Sequence, residues 1–254
     1  MQAAQQRQFR GTVVNAAPSA SVGIVAALAV EARHLGRPVR RAGAYTVLTD
    51  GTLLAVSGIG CAAAAQSARA LVQAGARALA SFGLAGGLDP TLTPGAVFIP
   101  THIALRDSRT LATTLAWRER MTGALAALHP VGCGSLLTSA RPLLSIADKR
   151  AARAETGAAA VDMESFAVAE VAQAHGLPFV CARVIVDTAG DALPEALVHA
   201  ADRGGRLRVM RLLGQLVRAP GDLGALLHLA RCYRIAHRSL GAVARGGAWV
   251  CSSA

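Results

Sequence analysis

Two kinds of segment alternate along this chain. Short continuous apolar runs read as strands buried on both faces, and stretches with apolar residues three and four apart read as helices. Val22–Leu28 is the first apolar run, and Glu31 lies a few residues past it, where a short helix would begin. Tyr45–Thr49 and Thr52–Ser57 flank Asp50-Gly51, a two-residue hairpin signal. Ser57-Gly58-Ile59-Gly60 then enters an alanine-rich helix over Cys61–Ala74, ended by Gly75. Ala78–Phe82 predicts a strand followed by a small-residue loop, Gly83–Gly87, and Ala96–Ile103 predicts another strand. Thr110–Leu128 is helical in tendency, with Trp117 and Met121 as packing residues. Val131–Thr138 reads as a strand, and Leu143–Glu155 as a helix with Lys149, Arg150 and Arg153 on its solvated face.

The most informative stretch follows. A short apolar run at Val161 stops at Asp162, Met163 and Glu164, after which Ser165 can cap a helix. Phe166, Val168, Ala169, Val171 and Ala172 recur at helical spacing, and Gly176 with Pro178 ends that helix. Phe179–Val186 is a buried strand broken only by Arg183, and it delivers Asp187 at its end. Glu164 and Asp187 therefore sit just past strand ends, where open α/β sheets bind ligands. A charge inside such a strand needs a partner, so Arg183 reads as support for a site carboxylate.

Strand–helix alternation from Val22 to Asp187 gives an α/β fold with a mixed central sheet and helices around it. No linker divides it. The boundaries are a loose N-terminal extension over 1–21, the α/β domain over 22–194, and a helical appendage over 195–254. In that appendage Glu195–Val217 and Leu223–Val243 read as basic amphipathic helices, broken by Ala219-Pro220-Gly221 and capped at Asp222.

Composition adds limits. The chain is 53% hydrophobic and 16% charged, which suits a globular core rather than disorder. No apolar run reaches the length of a membrane span, and the Gln- and Ala-rich start lacks the apolar stretch of a secretory signal. Cys61, Cys133, Cys181, Cys232 and Cys251 lack metal or CxxC spacing and read as cytosolic thiols; His102, His175 and His199 likewise lack metal partners. The net charge of +11 comes almost wholly from arginine, Lys149 being the one lysine. Nine arginines against Asp202 and Asp222 lie beyond residue 195, so an anionic membrane surface is a partner these helices suit. With 4% aromatic residues and no helix-turn-helix, nucleic acid is not.

Five ordered motifs, VGIVAALAVEA, SGIG, GLAGGL with PGAVFIP, VDMES and RVIVD, resemble the nucleoside phosphorylase/nucleosidase superfamily, nearest its methylthioadenosine/S-adenosylhomocysteine nucleosidase branch. The resemblance implies a three-layer α/β/α sandwich around a mixed, partly barrel-like sheet, and cleavage of a purine N-glycosidic bond by a homo-oligomer without metal or cofactor, using water or phosphate as co-substrate. It gives Asp187 the role of acid toward purine N7 and Glu31 that of base toward water. Glu164 would grip the ribose 2′- and 3′-hydroxyls and Met163 would pack on the sugar. Ser57 and Gly58 would lie near the attacking group, Ala85 and Gly86 beside sugar and base, and Arg141–Leu144 in the base-binding loop. A glutamate at position 31, where phosphorylases carry a phosphate-binding arginine, favours hydrolysis. Arg33, Arg40, Arg41 and Arg106 keep phosphorolysis open. Core and tail together resemble the hopanoid-associated phosphorylase family, which implies release of adenine from the lipid nucleoside adenosylhopane by a cytoplasmic protein at the inner face of the membrane. A soluble nucleosidase for methylthioadenosine or S-adenosylhomocysteine, and a catalytically dead membrane-binding protein, are the alternatives.

Overall fold

The computed structural model describes residues 21–42, 44–126, 131–193 and 223–249. The readings for the N-terminal extension, Glu195–Val217, His199 and Cys251 lie outside them.

The described chain runs β1 (Val22–Ala26), α1 (Ala29–Ala32), β2 (Pro38–Ala42), β3 (Tyr45–Leu48), β4 (Leu53–Val56), α2 (Cys61–Gln73), β5 (Ala78–Gly87), β6 (Val97–Phe98), β7 (His102–Ala104), β8 (Thr110–Ala112), α3 (Leu115–Ala126), β9 (Val131–Gly132), β10 (Ser135–Thr138), α4 (Ile146–Thr156), β11 (Ala160–Asp162), α5 (Ser165–Ala174), β12 (Phe179–Asp187) and α6 (Leu223–Gly246). The strands form one mixed sheet in the order β2-β3-β4-β1-β5-β11-β10-β7-β8, with β12 added beside β5 and leading on to β6 and β9.

Alternation along the buried strands sends side chains to opposite faces and makes two cores. Val22, Ile24, Val180, Ala182 and Val184 meet Trp117, Met121 and Leu125 of α3 and Ala236, Leu240 and Val243 of α6. Val25, Leu79, Cys181 and Ile185 meet Ala64, Ala68 and Leu71 of α2 and Phe166, Val168 and Ala172 of α5. These are the three layers that the family resemblance implies.

Four local readings change. The small-residue stretch Gly83–Gly87 is not a loop but the continuation of β5, whose last two residues pair with β11 while its earlier ones pair with β1 and β12. Ala96–Ile103 is two strands parted around Pro100, which cannot donate to a ladder. Val131–Thr138 divides in the same way into β9 and β10. Helix α3 begins at Leu115, after β8 has taken Thr110–Ala112. Among the described residues no helix is long and apolar enough to cross a membrane.

The fork in β5 positions the site. Strands β1, β5 and β12 run parallel, and β5 leaves β1 to join the antiparallel β11 just where they end. A crevice opens at that point, as it does wherever neighbours diverge at the carboxyl ends of parallel strands.

Candidate active site

A cavity of about 320 Å³ occupies this crevice, and its walls include Glu31, Ala85, Gly86, Met163, Glu164 and Asp187. Six of the eight residues singled out from the sequence thus line one cleft. The other two stand behind it: the backbone N–H groups of Ser57 and Gly58 donate to Ala26 O and Ala27 O, both at 3.0 Å, and so fix the turn that presents Ile59 to the cleft.

Each carboxylate is held by the backbone around it. Glu31 sits in the four-residue α1, where Oε2 accepts from Leu28 N–H and Oε1 from Leu84 N–H, both at 2.9 Å. Burial pushes its pKa up, against the Arg183 charge and these two donors, which favour the ionised form. Gly83 makes that approach possible: a Cβ there would lie 2.7 Å from Glu31 Oε1 and 2.6 Å from an Arg183 nitrogen.

Glu164, rather than Ser165, is the N-cap of α5, but its side chain caps nothing. Its Oε1 accepts from Gly60 N–H at 2.8 Å, at the N-cap of α2. The capping is done by Asp162, whose Oδ2 accepts from Ser165 N–H at 3.0 Å. That division of labour leaves Glu164 free to face a ligand. Burial and the neighbouring Asp162 raise its pKa to about 7, with Arg183 and the Gly60 N–H pulling the other way.

Arg183 supports the carboxylate side of the site, as its place in an apolar strand suggests. Its side chain is buried, with Nη2 donating to Asp162 Oδ2 at 2.7 Å, Ser81 Oγ at 2.7 Å and Ser165 Oγ at 2.9 Å. One permanent cation thus lies beneath Glu31, Asp162 and Glu164, offsetting the repulsion that three buried acids would otherwise feel.

Asp187 lies beside Gly86 in the β5–β12 register, and a Cβ on Gly86 would lie 3.2 Å from Asp187 Oδ2. Burial raises its pKa, while Lys149 lowers it. That lysine corrects the sequence reading. Lys149 is not on a solvated face; its side chain is 1% exposed and its ammonium is ion-paired with Asp187 Oδ2. Lys149 and Ala152, three positions apart, form the buried stripe of α4. Asp162, Arg141, Leu193 and Tyr233, none assigned individually from the sequence, also line the cleft. Tyr233 comes from α6, so the C-terminal helix takes part in the site.

Of the four arginines that kept phosphorolysis open, two lie elsewhere: Arg33 lines a separate groove with Arg37 and Tyr45, and Arg106 pairs with Glu155. The side chains of Arg40 and Arg41 fall outside the described residues. Arg141, on the loop after β10, is the one arginine among the described residues that line the cleft.

Residues 20–219 match the family model of the phosphorylase superfamily. The chain belongs to that superfamily. It is accordingly an enzyme of the nucleosidase or nucleoside phosphorylase kind. Solved structures with the same fold include the 5′-methylthioadenosine/S-adenosylhomocysteine nucleosidase of Helicobacter pylori, with a TM-score of 0.64 and 17% identity over 89% of this chain and 97% of that one. The futalosine hydrolase of Helicobacter pylori matches with a TM-score of 0.61 and 19% identity, over 68% and 86%. The nucleosidase of Neisseria meningitidis matches with a TM-score of 0.58 and 24% identity, over 67% and 87%. At these identities the likeness establishes the fold. No curated protein matches the chain.

Proposed function

We propose that this enzyme hydrolyses the N-glycosidic bond of an adenine nucleoside, and that its substrate is a lipid nucleoside, adenosylhopane. The observation that carries the hydrolytic reading is the meeting of Glu31, Glu164 and Asp187 in one cleft. Adenine leaves poorly as an anion, so an acid must give it a proton as the bond to C1′ lengthens, and Asp187 fills that role at N7. The sugar then gains oxocarbenium character, which the carboxylates stabilise best in a water-poor site. Glu164 fixes the ribose by its two hydroxyls, with Met163 against the ring, and Glu31 takes a proton from the attacking water. A carboxylate in Glu31's place repels phosphate, so water is the nucleophile.

The lipid part of the reading is supported by α6. Its buried face carries Cys232, Ala236, Leu240 and Val243, and its outer face carries Arg231, Arg234 and Arg238 with Ile235 37% and Leu227 64% exposed. Tyr233, between these faces, reaches the cleft. An anionic bilayer is the surface that such a basic and apolar face fits, and a substrate drawn from it would enter beside Tyr233.

The test is adenine release from adenosylhopane with and without phosphate, with analysis of the sugar product. The expected product is the free ribosyl lipid at a rate independent of phosphate. A 1-phosphate product formed only with phosphate would make the enzyme a phosphorylase instead.

A further inference from the structure

Contact with an ammonium group favours the ionised form of a carboxyl group. Lys149 offers three N–H donors, and the structure gives each an acceptor: Asp187 Oδ2, Thr188 O at 2.7 Å and Asp191 O at 2.9 Å. Asp187 is the one charged acceptor of the three, so it is the counter-ion. The Asp191 carboxylate is committed elsewhere, with Oδ2 accepting from Thr188 N–H and Oγ1–H at 2.8 Å each and Oδ1 lying 3.0 Å from His228. On this geometry the general acid inferred above rests as the ionised partner of Lys149, against the upward pull of burial on its pKa, and the proton that adenine needs is held on the ammonium.

We propose that Lys149 is a positioning residue that stores this proton and passes it through Asp187. As the C1′–N9 bond breaks and its electron pair moves into the purine, the Lys149 ammonium passes a proton to Asp187 Oδ2 and is left as a neutral amine. Asp187 hands that proton on to N7 and is a carboxylate again. The water oxygen bonds to C1′ and its proton goes to Glu31. After the products leave, Glu31 loses that proton to solvent, and one proton from solvent returns to the lysine–aspartate pair. Burial lowers the cost of the transfer, because desolvation penalises the ion pair more than the neutral amine and acid, while the three acceptors around the ammonium keep the ion pair as the resting form. The ionisable groups around the pair are Asp191 with its partner His228, Cys232 on α6, and Arg141, Asp162 and Glu164 on the cleft walls.

The relay rests on Asp187 acting as the acid, and its test separates the two. In Lys149→Met the proton store shrinks to the carboxyl of Asp187 itself, so activity falls as pH rises through a carboxyl pKa instead of through that of the pair. The alkaline limb of kcat/KM is expected to move down by at least about one pH unit, with a loss of roughly 30-fold near pH 8.5 and much less near pH 6. Lys149→Arg keeps the charge but does not release a proton at these pH values, so it is expected to lower kcat throughout with KM little changed. An infrared difference spectrum of the free protein against Asp187→Asn reads the carboxyl directly. An ionised band at neutral pH in the wild type, replaced by a protonated band in Lys149→Met, is the expected result. If the methionine variant does not fold, the wild-type spectrum alone decides, because a protonated Asp187 near pH 7 would overturn the relay. An unmoved alkaline limb in Lys149→Met, with Asp187→Asn inactive, would remove the relay and leave the acid. Normal turnover by Asp187→Asn would remove both.

Discussion

Glu164 combines two demands that oppose each other. To grip two hydroxyls it must be ionised, yet burial and Asp162 raise its pKa from 4.5 to about 7. A group whose folded-state pKa is raised contributes stability below its unfolded pKa and loses it as pH climbs through the folded value. The ionised Glu164 therefore costs the fold up to about 3 kcal/mol at pH 8, a cost that fades between about pH 7 and 4.5. Glu164→Gln keeps an oxygen for the Gly60 N–H but carries no charge. It is expected to raise stability by about 1–3 kcal/mol at pH 8, with little change at pH 5, while weakening substrate binding. Denaturant titrations at the two pH values check this; equal effects at both would remove Glu164 as the titrating group. The same chemistry predicts that wild-type kcat/KM rises with pH through the neutral range before its alkaline limb. Glu164 and Asp187 could be picked out from strand-end position, and Glu31 only through the family resemblance. Lys149 could not, because a lysine on a helix defaults to solvent and its burial depends on an acid 38 residues away.

At the level of elements, the site depends on β5 changing partners at its end and on Arg183 joining β12 to β11. The buried apolar runs made β1, β5 and β12 readable, since few alternatives to a central strand suit them. The reach of β5 through Gly83–Gly87 was not readable: glycine ordinarily marks a turn, whereas here Gly83 and Gly86 clear space for Glu31, Arg183 and Asp187. Burial of Arg183 could be read from its strand, but its partners could not. Arg183→Met leaves Asp162 buried without its cation and is expected to cost about 3–5 kcal/mol; adding Asp162→Asn should recover part of that. Urea unfolding of the two variants measures it. A single variant as stable as the wild type would mean that Arg183 does not bear on the fold.

Across the whole molecule, α6 packs on the same core as α3 and the central strands, closing one face of the sheet while presenting its arginines outward. Three arginines beside a bilayer are worth about 1 kcal/mol each. Reversing Arg231, Arg234 and Arg238 to glutamate is thus expected to abolish co-sedimentation with anionic vesicles, as about 0.5 M salt should in the parent protein. The triple variant should retain turnover of a water-soluble adenine nucleoside if the parent has it. Undiminished sedimentation by the variant would remove the membrane role. The central claim, that three acids of one cleft act together on a departing base, is tested most directly by single-turnover adenine release. The wild type, Glu31→Gln, Glu164→Gln and Asp187→Asn should be compared side by side on adenosylhopane. Release by the wild type, slowed about 10²-fold or more in each variant, is the expected result; full-rate release by the Asp187→Asn protein would contradict it.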